Sequence, residues 1–167
     1  MSGDTGYSVE EILFVNPDHQ AQLETFVGPI VQMLLTDRAT TEQYFKDPCP
    51  MTRFAALMLL LYHWGMTNDN ATDCEHLAIS DDDNTVRATA ITCLSEYHST
   101  SCDRIRICRL LVSVLRDEQS DERVKRAAYG GLYALYRFPI HSWPDFVELR
   151  FPENIDWVFV DGLLTRT

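Results

Sequence analysis

One pattern recurs along this chain with its internal spacing unchanged. Asp83, Val86, Arg87, Ala90 and Leu94 are matched, each at the same offset, by Asp121, Val124, Lys125, Ala128 and Leu132. A weaker copy precedes the first: Arg53, Ala56 and Leu60, with Thr52 in place of the valine and Cys49 in place of the aspartate. Val, Ala and Leu at i, i+4 and i+8 share one face of an α-helix. The aspartate ahead of them is a natural N-cap. The small alanine lets a neighbouring helix approach closely. A helical stretch precedes each copy, so the unit is helix, turn, helix. Such a unit cannot bury its face alone and is stable only when stacked on others.

The rest of the chain fits this unit. Ser8 with Glu10 and Glu11 opens a short helix that Asn16-Pro17 ends. Leu23, Phe26, Val27, Ile30, Val31, Leu34 and Leu35 form an amphipathic stripe, interrupted by Gly28-Pro29. A short helix spans Thr40 to Phe45. A long one runs from Met51 to Trp64 and stops at Gly65. Its middle, 54–61, is apolar all round, which predicts a central, covered helix. Further helices are predicted over 71–79, 85–97, 103–116 and 123–136. Past Pro139, Ser142 to Leu149 reads as a short helix. A last one holds Ile155, Val158, Phe159 and Leu163, although 157–160 also suits a strand. No βαβ or hairpin rhythm is present. The expected fold is all-α in a single domain of 167 residues. Its parts are an N-terminal helical cap over 1–38, repeats over 39–138 and a C-terminal cap over 139–167.

The pattern Asp-x-x-Val-Arg-x-x-Ala-x-x-x-Leu resembles the second helix of a HEAT repeat, including the short bacterial type. The match is good at 83–94, good at 121–132 with Lys125 for the arginine, and partial at 49–60. With the first helices it covers roughly residues 40–138. The resemblance implies an α-α superhelix, a right-handed solenoid of about three hairpins whose second helices line a concave face. It also implies that Arg87 and its equivalents pair with aspartates of a neighbouring repeat. HEAT-like alkylpurine DNA glycosylases use a strongly basic concave face; HEAT-like bilin lyase subunits act on phycobiliproteins.

Charge argues against the first of those activities. The chain carries 14 basic and 25 acidic groups, a net charge of −11. That sign repels nucleic acid and anionic membranes. The charge is uneven: residues 101–140 alone are net +3, while the other parts are acidic. That belt is either neutralised by neighbouring acids or forms a docking strip for an acidic partner. Five cysteines, an odd number without tight spacing, suit reduced thiols in the cytoplasm. The N-terminus lacks the basic region of a signal peptide, and no apolar run reaches the ~18 residues of a membrane span.

Local chemistry offers little. Asp73-Cys74-Glu75-His76 has no second cluster to complete a metal site, and Asp81-Asp82-Asp83 reads as a helix cap. No nucleophile motif or phosphate loop occurs, so no cofactor or metal is implied. His63, His98 and His141 fall near helix ends, where partial exposure is usual. Cys93 and Tyr129 fall on core faces. Gly130-Gly131 inside a helix costs about 1 kcal/mol each relative to alanine, which implies a close approach to the backbone. The predicted function is a protein-interaction or scaffold module that binds a protein or peptide on the concave face. Arg87, Lys125 and Arg126 are its cations, and Tyr133 and Tyr136 its amphipathic anchors. The alternatives are a HEAT-like lyase subunit or other small enzyme, and a homo-oligomer.

Overall fold

The computed structural model describes residues 30, 37–146 and 148–165. The helices expected over 8–16 and 23–35 lie outside these, apart from helical Ile30. Among the described residues the fold is all-helical, without strands. The chain divides into two compact units, Met1–Asp73 and Cys74–Thr167. No helix among the described residues is long and apolar enough to cross a membrane.

In the first unit, α1 (Arg38–Gln43) passes into a 3₁₀ turn, Tyr44–Lys46. The Asp37 carboxylate caps α1, accepting from the Thr40 amide at 2.8 Å. Helix α2 (Pro50–Leu59) follows, with Pro50 at its first turn, where its missing N–H leaves no bond unmade. Its residues 54–57 and 59 are buried, as is Leu60 beyond its end, which an all-round apolar sequence requires. The last turn, Leu60–Trp64, is π-helical. Gly65 ends it with a positive φ, a backbone region that favours glycine. Arg38 holds this terminus. Its guanidinium donates to the carbonyls of Trp64 at 3.2 Å and Gly65 at 2.8 Å, and to the Asn70 side chain at 2.8 Å. Carbonyls at a helix end lack partners within the helix, and a cation satisfies them while opposing the helix dipole. The indole of Trp64 donates to the Thr41 hydroxyl at 3.1 Å.

Helix α3 (Asn68–Ser80) spans the boundary between the units. The second unit then holds α4 (Asn84–His98), α5 (Arg104–Arg116), α6 (Glu122–Leu135) and α7 (Trp157–Leu164). The apolar positions of the two copies have the same burial, and both aspartates cap their helices. Val86, Ala90 and Leu94 are fully buried, and so are Val124, Ala128 and Leu132. The Asp83 carboxylate accepts from the amides of Thr85 and Val86 at 2.8 and 3.0 Å. Asp121 accepts from Arg123 at 2.8 Å. Helices α4 and α6, which carry the two copies, make the most extensive packing in the unit, with α5 packed mainly on α6.

The contact between α4 and α6 explains Gly131. A Cβ there would lie 2.5 Å from the Ser95 hydroxyl and 3.2 Å from Leu111 Cδ1. The expected close approach is therefore that of neighbouring helices. Helix α6 ends in a Schellman motif. Phe138 donates to the Tyr133 carbonyl at 3.0 Å and Arg137 to Ala134 at 2.9 Å. Arg137 occupies the left-handed position, φ 55°, that glycine usually takes. This turn carries the chain back along α6.

The C-terminal part departs from the sequence reading. The helix expected over 142–149 is reduced to a single 3₁₀ turn, Ile140–Ser142. The last helix begins only at Trp157, where the Asp156 carboxylate accepts from the Phe159 amide at 2.9 Å. It is a helix and not the alternative strand.

Candidate functional site

Tyr129, Tyr133 and Tyr136 run along α6 and its C-cap, and Phe138, Trp143, Phe146, Phe159 and Leu163 of the C-terminal segment lie against them. Tyr129 is buried, with its ring edge-on to Phe146 and Phe159. Tyr133 is half-buried and stacks on Phe159, ring centres 4.7 Å apart, with Phe138 and Trp143 on its other edges. Its phenol is held above the usual tyrosine value, first by burial and then by the Tyr129 hydroxyl at 3.5 Å. Tyr136 donates to the Leu163 carbonyl at 3.1 Å, and its ring lies under the Arg104 guanidinium. Arg126 reaches the Leu149 carbonyl at 3.3 Å. Thus three of the five residues selected from the sequence, Arg126, Tyr133 and Tyr136, attach the C-terminal segment to α6. That segment covers the α6 face on which they lie.

The other two, Arg87 and Lys125, occupy matching positions and act on one carboxylate. Asp117, at the end of α5, is held below its ordinary pKa. The Ser120 hydroxyl is the main cause, followed by the Gln119 amide, with smaller contributions from Lys125 and Arg87. Arg87 donates through Nε to the Ala78 carbonyl at 3.3 Å and Lys125 to the Glu118 carbonyl at 3.4 Å.

Much of the basic belt is engaged internally. Arg106 pairs with Glu75, Arg116 with Asp161, and Arg126 approaches Glu122 at 4.0 Å. Arg123 donates to the Thr85 hydroxyl at 2.5 Å, which links the two repeat copies. The Arg109 side chain is exposed.

Two open hollows meet at Arg116. One, of about 390 Å³, is lined by Leu115, Arg116, Glu118, Lys125, Phe151, Pro152, Trp157 and Asp161. The other, of about 470 Å³, lies along α5 and is lined by Arg109, Val112, Ser113, Arg116, Asp117 and Leu164. Helix α7 supplies a wall to both, Trp157 and Asp161 to the first and Leu164 to the second. It is anchored from behind by fully buried Val160 and Leu163. The Arg116 guanidinium carbon lies 5.9 Å from the centre of the Trp157 ring, within cation–π range. Only Lys125 of the sequence-selected residues lines this site. Arg109 and Arg116 belong to the basic belt of 101–140 but were not selected as site residues, and Trp157 had no signal in the sequence, because the α5–α7 contact joins a repeat to a segment outside it.

No protein-family model, curated protein or solved structure matches this chain.

The cysteines are all free thiols. Cys74, Cys93 and Cys108 are buried, whereas Cys49 and Cys102 are exposed. Cys74 is packed in the core side of α3, Glu75 pairs with Arg106, and the His76 ring meets the Ser80 hydroxyl at 3.2 Å. Among the described residues no three His, Cys, Asp or Glu groups converge as metal ligands.

His98 differs from the partly exposed histidine expected at a helix end. It is 4% exposed, and neither ring nitrogen has a hydrogen-bond partner among the described residues. Burial holds its pKa below the ordinary 6.5, Arg106 acts in the same direction, and Asp103 and Glu75 oppose both. The unfolded chain therefore takes up a proton at a pH where the folded one does not, so stability falls as pH drops below about 6.5. Unfolding free energy measured by urea denaturation is expected to decline between pH 7 and pH 5. His98→Leu should flatten that decline. Glu42 and Asp117, held below ordinary carboxylate values, act only at lower pH.

Proposed function

We propose that this chain is a protein-interaction module of the HEAT-like helical-repeat type. It docks an acidic segment of a partner protein along the α5–α7 edge of the second unit. The observation that carries the reading is the pair of open hollows meeting at Arg116. They present Arg109, Arg116 and Lys125, interspersed with Asp117, Glu118 and Asp161, beside an aromatic wall. Arginine and tryptophan are enriched among the residues that dominate interface energies. An open, two-part hollow suits an extended segment. The −11 charge of the whole chain disfavours non-specific polyanions, so recognition is confined to this edge. The matching repeats at 83–94 and 121–132, each with a buried Val, Ala and Leu and an aspartate cap, support the HEAT-like assignment. The free thiols support a reducing, cytoplasmic setting.

The test is fluorescence anisotropy with labelled octaglutamate and octalysine at low salt. Saturable binding of octaglutamate is expected, weakening as salt is added. Arg109→Glu/Arg116→Glu/Lys125→Glu, with an unchanged circular dichroism spectrum, should weaken it about tenfold or more. Binding of octalysine instead, no binding, or an unaffected triple variant overturns the reading.

A further inference from the structure

The first hollow already holds a carboxylate on its arginine, and this defines what a partner must do there. Asp161 projects from α7 one turn beyond Trp157 and pairs with Arg116 at the end of α5. The two side chains are 55% and 52% exposed, both at the mouth of the hollow. An ion pair this exposed contributes little to folding. Helix α7 does not depend on it: Val160 and Leu163 are fully buried, and the Leu163 carbonyl accepts from Tyr136. We infer that Asp161 is an internal stand-in for a partner carboxylate, occupying the Arg116 subsite until an Asp or Glu side chain of the partner displaces it. This inference rests on the proposed docking of an acidic segment at the same edge.

The geometry gives the displacement a direction. When Asp161 is released, Arg116 remains beside the Trp157 ring, so the incoming carboxylate meets a guanidinium already positioned over an aromatic face. Asp161, no longer compensated, then repels that carboxylate, so its charge sets how acidic the partner must be. Glu118 lines the same hollow without pairing to Arg116 and serves as the internal control.

The test uses labelled octaglutamate with the full chain. Asp161→Asn is expected to tighten binding about two- to fivefold, the range an exposed pair supplies. Glu118→Gln should do less. In an Arg116→Gln background, Asp161→Asn should have a much smaller effect, because the site it blocks is gone. The inference is overturned if Asp161→Asn leaves binding unchanged or weakens it. It is equally overturned if Glu118→Gln tightens binding as much, or if the effect persists without Arg116. The two readings fail separately. Weakening by Arg116→Gln and Lys125→Gln with no effect of Asp161→Asn removes only the stand-in role. Indifference to Arg116→Gln and Lys125→Gln removes the docking site, and this inference with it.

Discussion

Truncating Leu94 or Leu132 to alanine is expected to lower the unfolding free energy by about 2–5 kcal/mol in each case. Both side chains are fully buried, one on α4 and one on α6, at equivalent positions of the recurring pattern. Each loses the transfer free energy of its isobutyl group and leaves a cavity that two packed helices close only in part. Urea unfolding followed by circular dichroism measures the effect. The midpoint should fall at constant slope, since the surface exposed on unfolding barely changes. Ile140→Ala is the control: this residue is 84% exposed, so its loss should stay within about 0.5 kcal/mol. Equal costs at Leu94 and Leu132 would mean that the two copies are energetic as well as geometric equivalents. A cost below about 1 kcal/mol at either would show that the face it lies on does not pack as described.

Much of the helical framework was legible in the sequence because its signals are local. Asp83 and Asp121 were read as caps from their place before an apolar face, and both carboxylates accept helix amides. Gly65 was read as a stop and adopts a positive φ. Tyr129 and Cys93 were assigned to the core from periodicity and are buried. The π-helical turn over 60–64 was not legible, because the partner that stabilises its carbonyls, Arg38, stands more than twenty residues away. The helix expected over 142–149 was misread for a related reason. Ser142 and Asp145 are plausible caps, but the aromatic side chains of this stretch are committed to Tyr129 and Tyr133, and side-chain packing outweighs weak helix propensity.

The site was less legible than the fold. Arginine and tyrosine at repeated positions are the residue types of an interface, but residue type does not reveal what already covers them. Tyr133 and Tyr136 face the C-terminal segment, and Arg126 donates to its backbone. His98 was placed near a helix end by its position in the chain, yet the α3 and α5 side chains Glu75 and Arg106 influence it electrostatically in a buried setting. Arg116 lay in the belt that the sequence singled out, but its neighbours Trp157 and Asp161 are more than forty residues away in the chain.

The adjacent glycines of α6 are expected to respond oppositely to the same substitution. Any alanine in a helix interior gains about 1 kcal/mol over glycine from propensity alone. At Gly131 that gain meets a Cβ placed 2.5 Å from Ser95 Oγ and 3.2 Å from Leu111 Cδ1. The serine has a short side chain whose hydroxyl donates to the Ile91 carbonyl at 2.8 Å, so relief requires α4 and α6 to move apart. Overpacking of this kind costs about 1–3 kcal/mol, so Gly131→Ala should destabilise by up to about 2 kcal/mol net, and Gly131→Leu by more than about 3 kcal/mol. At Gly130 the nearest atom is the tip of the Phe146 ring at 3.3 Å, which can shift by a small fraction of a bond length. Gly130→Ala should therefore be neutral or stabilising by up to about 1 kcal/mol. Thermal unfolding of both single variants checks the contrast. The double variant Gly131→Ala/Ser95→Ala locates its cause. Removing the hydroxyl clears the closest contact, so Ser95→Ala should recover at least half of the loss, a coupling expected only between residues in contact. If the double variant is no better than Gly131→Ala alone, the close approach of α4 to α6 is not what glycine at 131 serves.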